Sequence, residues 1–551
     1  MRPIPCLRLN NPCDKDGRPP KNDVSSASTP TSSVMNAVHT TRQYSRTPHF
    51  VLAGLLGCMF FLMWVFYVGF QAADDKSYLN GALGWVFSFP FVGDDHWALR
   101  HPMTIPAAIS IKLFGLNEFG VSLPNMIYFT FFIVLNYWAV RRYLGTLSAA
   151  LTTLIFITLP GFIILSTYLE IGIPEIFYLS TAFWSYRQAL EAPEKTRLWL
   201  LSGAAMGLAF VTRETAASFV LFIGLLFLFK PIVARRYYVY LFGAAASVLF
   251  IDWCYLALMT GNPRYRYSID LNHDTIDRFA VASRVAVRQG LIDSEGNISV
   301  NVFIDPVLNL FITQKYTLIF WLLVPALFLF WRKRTQRSTS LTLGLLAGYV
   351  VVSFVFLGAN PKLYLVPRYF LVTAWAASII VAWWLAALFR SQKNISLAAA
   401  VVALFGANFV AMSVENINPR FVEKSLLAYS TSHPDEMIYT DSETIEKAKF
   451  YFRFANKSMD LVSPDLPPPG AVFFYSADRI ATCKLQSKCK ERFSDPVPGP
   501  GWSVKEEIHP TPRLLGKLIR LIGIDKHLPS DIKRKLLLEG GSVTIYTVAT
   551  P

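Results

Sequence analysis

The chain has 551 residues, 53% of them hydrophobic and only 16% charged, with 43 Phe, 24 Tyr and 13 Trp. That is more apolar surface than a soluble fold of this length buries, so lipid must form part of the solvent. The formal charge of +15 could suggest nucleic acid, but the Lys and Arg residues fall mostly in short clusters between apolar runs, where they orient membrane helices. Nucleic-acid binding is therefore disfavoured.

Residues 1–49 are polar and rich in Pro, Ser and Thr, and read as a disordered cytoplasmic tail. The first apolar run is too long for a signal-peptide core and lacks an obvious small-residue cleavage site, so an uncleaved helix is expected there. Apolar runs follow at about 50–70, 119–140, 147–165, 169–186, 198–212, 216–229, 237–259, 316–331, 341–358, 369–389 and 395–413. The expected fold is an all-α polytopic membrane protein of about eleven transmembrane helices over 50–413, with a small C-terminal α+β domain outside the membrane over 414–551.

Arg42 and Arg46 precede the first helix and set the N-terminus in the cytoplasm. Every second connection should then be basic, and Arg141 and Arg142, Arg187 with Lys195 and Arg197, Lys230 with Arg235 and Arg236, Arg332 to Arg337, and Arg390 with Lys393 follow that parity. Reading 198–229 as one long tilted helix would reverse the downstream orientation, and the basic pattern argues against it. The outer side then receives loops 71–118 and 260–315, the short segment 359–368 and the tail beyond 414. In the tail, strand-like MIYTDS, GAVFFYS and SVTIYTVA alternate with helix-like ETIEKAKFYFRFA and RLLGKLIRLIG, and no catalytic motif is visible. Of six cysteines only Cys483 and Cys489 form a disulfide candidate, with two unpaired thiols as the alternative; Asn297 and Asn456 begin Asn-x-Ser triplets.

The first outer loop holds two acidic pairs, Asp74 with Asp75 and Asp94 with Asp95. A carboxylate at the membrane surface whose proton affinity is raised by a like-charged neighbour suits a general base acting on a hydroxyl; solvated loop acids or helix caps are the structural alternative. Downstream, ISIKLFGLNEFGVSLPNMIYF reads as an amphipathic interfacial segment, with Trp97, Phe114 and Phe119 as anchors. His96, His101 and His273 share the outer side with the acids, but no metal-ligand spacing supports a site, so a divalent metal is optional and no cofactor is certain. Asp252 stands in the outer half of its helix, either joining an acceptor site or hydrogen-bonded for structure.

The segments DDKSY (74–78) and RHPMTIPAAISIKLFGLNEFGVSLP (100–124) resemble the first outer loop of GT-C glycosyltransferases, in the branch of protein O-mannosyltransferases and the lipid A aminoarabinose transferase. The ordered matches are Asp74, Asp75, Tyr78, His101, Pro102, Leu113, Phe114, Gly115, Phe119, Leu123 and Pro124. Position 75 is Asp where Glu is usual, Arg100 stands where several relatives carry an acid, and Ser122 replaces the usual Arg. Further resemblances fall at YLEIGIPEIFYLS, AAMGLAFVTRET and VPRYFLVTAWAA, which carry Glu175, Arg213, and Arg368 with Tyr369.

The resemblance implies a GT-C-like transmembrane domain that moves a sugar from a polyprenyl-phosphate lipid to a glycan, lipid or protein acceptor at the periplasmic or lumenal face. Asp74 and Asp75 would be the catalytic acids, with Asp74 as base in an inverting transfer. Arg100, His101, Arg264, Arg266, Lys362 and Arg368 would bind the donor phosphate. Tyr78, Asp94, Asp95, Glu175, Arg213 and Tyr369 would line the sugar and acceptor pocket. The membrane would be the bacterial inner membrane, or the endoplasmic reticulum in a eukaryote, with the C-terminus non-cytoplasmic. The alternatives are an oligosaccharide ligase or polymerase, a transporter or flippase of lipid-linked or small solutes, and a catalytically dead scaffold.

Overall fold

The computed structural model describes residues 47–273, 304–332, 336–359, 366–390, 394–415, 420–477, 497–538 and 541–549. Lys362, Asn297, the pair Cys483 and Cys489, most of the N-terminal tail and residues 274–303 of the second long loop lie outside them.

Helices α1 (Thr47–Val65), α2 (Asp74–Phe87), α3 (His101–Phe114) and α4 (Glu118–Leu144) open the described chain. They are followed by α5 (Thr146–Thr158), α6 (Pro160–Ile163), α7 (Gly172–Ala189), α8 (Thr196–Thr212), α9 (Ala217–Phe229), α10 (Arg236–Thr260) and α11 (Tyr265–His273). The second half of the helical part holds α12 (Asp305–Ile312), α13 (Ile319–Arg332), α14 (Arg337–Gly358), α15 (Leu371–Arg390) and α16 (Asn394–Glu415). Each of the eleven expected apolar runs holds a helix. Among the described residues, six helices are long and apolar enough to cross a membrane, or seven if α5 and the segment from Pro160 to Thr167 count as one span bent by 67°. That break falls at Leu159–Pro160, where Pro opens a new helix because it lacks the N–H that would continue the old one. α8, the helical stretch ending in α9, and α13 are shorter apolar helices, and α7 carries Glu175 and Arg187 within 18 residues.

The loop expected at 71–118 is largely helical, since it contains α2 and α3. Its interfacial anchors Phe114 and Phe119 are half exposed.

α15 reads LVTAWAASIIVAWWLAALFR, apolar on every side, and a helix of that kind belongs in the middle of a bundle. It is buried along most of its length and packs against α5, α13, α14 and α16. In lipid a polar side chain must find its partner inside the protein. Asn136 does so doubly, its Oδ1 accepting the indole N–H groups of both Trp184 and Trp375 at 2.9 Å. α8 lies along α10 through Gly203 and Gly207, one turn apart; a Cβ at Gly203 would come within 2.0 Å of the Leu241 carbonyl oxygen. Small residues at such spacing let two membrane helices approach backbone to backbone.

The helix ends gather in two sets. At one, Arg142 meets Glu191 at 2.8 Å, Thr339 donates to the Tyr143 carbonyl, and Arg187 donates to Ser338 and Thr342. These are ends expected on the basic, inner side. The other set carries the candidate site.

The C-terminal part contains α17 (Phe421–Ser432), α18 (Ser442–Phe454), α19 (Leu514–Ile522) and α20 (Ser530–Leu537) with strands β1 (Ile438–Tyr439), β2 (Val462–Ser463), β3 (Val472–Tyr475), β4 (Ser503–Ile508) and β5 (Val543–Thr547). The strands form one mixed sheet in the order β2-β1-β3-β5-β4, parallel on the β1 side and antiparallel around β5. α18 attaches this part to the α1–α2 connection: Phe70 is packed by Phe450, Tyr451 and Phe454, the Tyr451 hydroxyl donates to the Phe70 carbonyl, and Lys76 pairs with Glu446 at 3.1 Å.

Candidate active site at the helix ends

The connection from α1 turns sharply into α2 at Ala72, whose φ is +48°. A left-handed conformation costs a residue with a Cβ about 1–2 kcal/mol, and Asp75 offsets it. Its two carboxylate oxygens accept the N–H groups of Gln71 at 2.5 Å and Ala73 at 2.6 Å. Asp75 is buried, and burial pushes its carboxyl up to about 6 against the pull of those two N–H groups. Asp75, expected to act beside Asp74 in catalysis, thus has both its oxygens engaged by backbone.

Asp74, one residue earlier, is 39% exposed at its side chain and lies 2.6 Å from the guanidinium of Arg368. Burial pushes the Asp74 carboxyl up, but Arg368 above all, then Arg213 and Arg100, outweigh burial and hold it below the usual carboxylate range. Arg368 sits in the turn Pro367–Phe370 that leads into α15, and the Tyr316 hydroxyl fixes that turn by donating to the Pro367 carbonyl at 2.6 Å.

Arg213 ends α8 with an extended backbone and directs its side chain to Glu175, at 3.4 Å, and over the ring of Tyr369, at 4.2 Å from the ring centre. The Arg368 guanidinium approaches the same ring, at 5.9 Å. Glu175 is fully buried in the first turn of α7, where the unsatisfied N–H groups favour an anion, and it also accepts the Thr215 hydroxyl. Arg100, the residue before α3, is buried with its guanidinium 3.5 Å from the Tyr78 hydroxyl and 3.4 Å from Glu214. Sequence reasoning passed over Glu170. It is buried, accepts the Gly172 N–H at 2.5 Å, and its charge acts on Arg213, Arg368 and Tyr78. Two acids five residues apart, Glu170 and Glu175, within one apolar run were the available signal.

Asp74, Tyr78, Arg100, Glu175, Arg213, Arg368 and Tyr369 therefore share one neighbourhood, built from α2, α3, α7, α8 and the turn before α15. His101 and Arg266 do something else. Arg266 is buried in α11 and donates to both oxygens of Asp252, at 2.9 and 3.0 Å, to the Leu99 carbonyl at 2.7 Å and to the Val211 carbonyl at 3.5 Å. His101 Nδ1 meets Asp252 at 3.1 Å, and its ring stands edge-on to Trp85 and Tyr255. Arg266, expected as a phosphate ligand, thus spends its donors on a brace in which Asp252 is its charged partner. The two braced carbonyls lie one residue before Arg100 and two before Arg213.

Asp94 is exposed, and Asp95 accepts the Ala98 N–H at 2.7 Å within its own turn; the principal charges acting on Asp74 include neither. Arg264 is exposed beside the start of α11. His96 packs on Trp97, and the His273 backbone closes α11. Among the described residues no group of three or more His, Cys, Asp and Glu side chains is placed to hold a metal ion.

Residues 100–256 match the family model described as dolichyl-phosphate-mannose-protein mannosyltransferase. Among solved structures, the chain is similar to ArnT from Cupriavidus metallidurans in the apo state, at 14% identity and a TM-score of 0.51, covering 80% of this chain and 95% of that one. It is similar to the same protein bound to undecaprenyl phosphate, at 15% identity and a TM-score of 0.50, covering 79% and 94%. No curated protein matches. The chain thus shares the polytopic membrane fold of ArnT, and its candidate site gathers Asp74, Arg100, Glu175, Arg213 and Arg368 at one set of helix ends.

Proposed function

We propose that the chain transfers a sugar from a polyprenyl-phosphate donor to an acceptor at the periplasmic or lumenal face, with inversion at the anomeric carbon. The observation that carries this reading is the Asp74 carboxylate, partly exposed and held against Arg368 at 2.6 Å amid the charges of Arg213 and Arg100. A base and cations at one surface are what the reaction requires. Asp74 takes the proton of the acceptor hydroxyl or amine as the acceptor oxygen or nitrogen bonds to the anomeric carbon. The bond from that carbon to the phosphate oxygen breaks, and the electron pair leaves with the polyprenyl phosphate.

Arg100 and Arg368 stabilise the departing phosphate, and the exposed Arg264 is a further candidate, as is Lys362, which lies outside the described residues. Tyr78, Glu175, Arg213 and Tyr369 shape the sugar and acceptor pocket. The N-terminus is cytoplasmic and the C-terminal part lies outside, as the basic connections require. A divalent cation is an optional partner, and transfer measured with and without EDTA separates the two forms of the reading.

The test uses purified chain in proteoliposomes with a radiolabelled polyprenyl-phosphate sugar. The proposal expects label on the acceptor, release of polyprenyl phosphate and a product of opposite anomeric configuration by NMR. Uptake of lipid or solute without transfer, or retention of configuration, contradicts it.

A further inference from the structure

Helix α19 reads LLGKLIRLI, with apolar residues on one face and Lys517 and Arg520 on the other. The apolar face is not folded inward: Leu514, Leu518, Leu521 and Ile522 are all exposed, Leu521 at 83%. The following turn adds exposed Ile524 and Lys526, and α20 adds exposed Ile532. A cluster of this size in water is costly unless something covers it.

Its surroundings say what does. The Arg513 guanidinium, at the head of α19, donates to the Tyr67 carbonyl at 3.4 Å, two residues beyond the end of α1. α19 and α20 both pack on α16, whose apolar stretch Leu397–Val414 is a candidate membrane span with mean hydropathy 2.1. The two helices are locked as a hairpin at Gly516, where a Cβ would stand 2.4 Å from the Leu536 carbonyl oxygen. The exposed apolar face is therefore carried by an element tied to one span and to the exit of another. Lys517, Arg520 and Lys526 flank it; α19 itself carries no acid, and the turn after it carries Asp525 beside Lys526.

We propose that α19 and the turn after it lie in the membrane interface, with Leu514, Leu518, Leu521 and Ile522 in the acyl boundary and the basic side chains at anionic headgroups. A short helix with a large apolar face and Lys or Arg on its polar side binds the interface in this way. The partner is the lipid surface itself. The attachment holds the C-terminal sheet against the bilayer and steadies the Tyr67–Ala73 connection that leads into Asp74.

The test places the photoreactive residue p-benzoylphenylalanine at Leu521 in the full-length chain, in nanodiscs of equal phosphatidylcholine and phosphatidylglycerol. Irradiation should yield phospholipid adducts on the peptide bearing position 521, with phosphatidylglycerol captured several-fold more often. Reversing charge with Lys517→Glu and Arg520→Glu should abolish that preference while adducts persist. Absence of lipid adducts, or adducts to protein alone, overturns the proposal. Equal capture of the two lipids by the unreversed chain overturns its electrostatic part.

Discussion

Replacing Arg266 by Met should damage stability and catalysis through different contacts, and the two losses can be separated. Arg266 and Asp252 are each about 6% exposed at the side chain, and the pair is bidentate at 2.9 and 3.0 Å. Removing one member of a buried ion pair strands the other charge and costs about 3–5 kcal/mol, whereas replacing both by apolar groups of similar size is near neutral. Arg266→Met should therefore lower the unfolding midpoint in detergent markedly, and the double variant Arg266→Met with Asp252→Leu should recover most of it. Transfer should not recover, because the carbonyls of Leu99 and Val211 still lack their donor and Arg100 and Arg213 lose their placement. A misplacement near 1 Å costs a reaction of this kind roughly 100-fold. Donor-dependent transfer should thus stay depressed by one to two orders of magnitude in both variants. Wild-type turnover in the double variant would refute the brace, and an unchanged midpoint in the single variant would refute the buried pair.

Arg368→Gln removes the main cation that keeps the Asp74 carboxyl low, so proton affinity rises and the acid limb of the pH–rate profile should move to higher pH, with Arg368→Lys moving it less. An unmoved limb would mean that a group other than Asp74 titrates. Gly203→Val puts a side chain where a Cβ already meets the Leu241 carbonyl oxygen at 2.0 Å; α8 must separate from α10, and thermal stability and transfer should fall together, since α8 ends in Arg213. Asn136→Leu leaves two buried indole N–H groups without their shared acceptor, at about 1–3 kcal/mol each, and should lower the unfolding midpoint with little change in the pH profile.

The helical part was legible because lipid imposes a long apolar run on each span, and all eleven runs hold helices. α2 escaped notice because DDKSYLNGALGWVF is too polar to read as a span and too short to stand out. In the tail, β1, β3, β5, α18 and α19 followed their patterns. β4, SVKEEI, did not: nearly all its residues are exposed on an edge, so no alternation marks it. Charged residues at the outward helix ends could be named from topology and resemblance, but their pairing could not. Whether Asp74 or Asp75 faces Arg368 depends on the turn at Ala72, and Arg266 is drawn to Asp252, fourteen residues away, only once α10 and α11 fold together. Such choices are made by tertiary geometry, which spacing along the chain does not encode.

The most direct measurement of the central claim is single-turnover transfer by Asp74→Asn, purified from membranes with an unfolding midpoint equal to that of the unaltered chain. Asn keeps the size of the side chain but accepts no proton, so transfer from the polyprenyl-phosphate sugar should fall by at least about 100-fold while donor binding persists. Turnover at the unaltered rate would remove Asp74 as the base and with it the mechanism argued from this site.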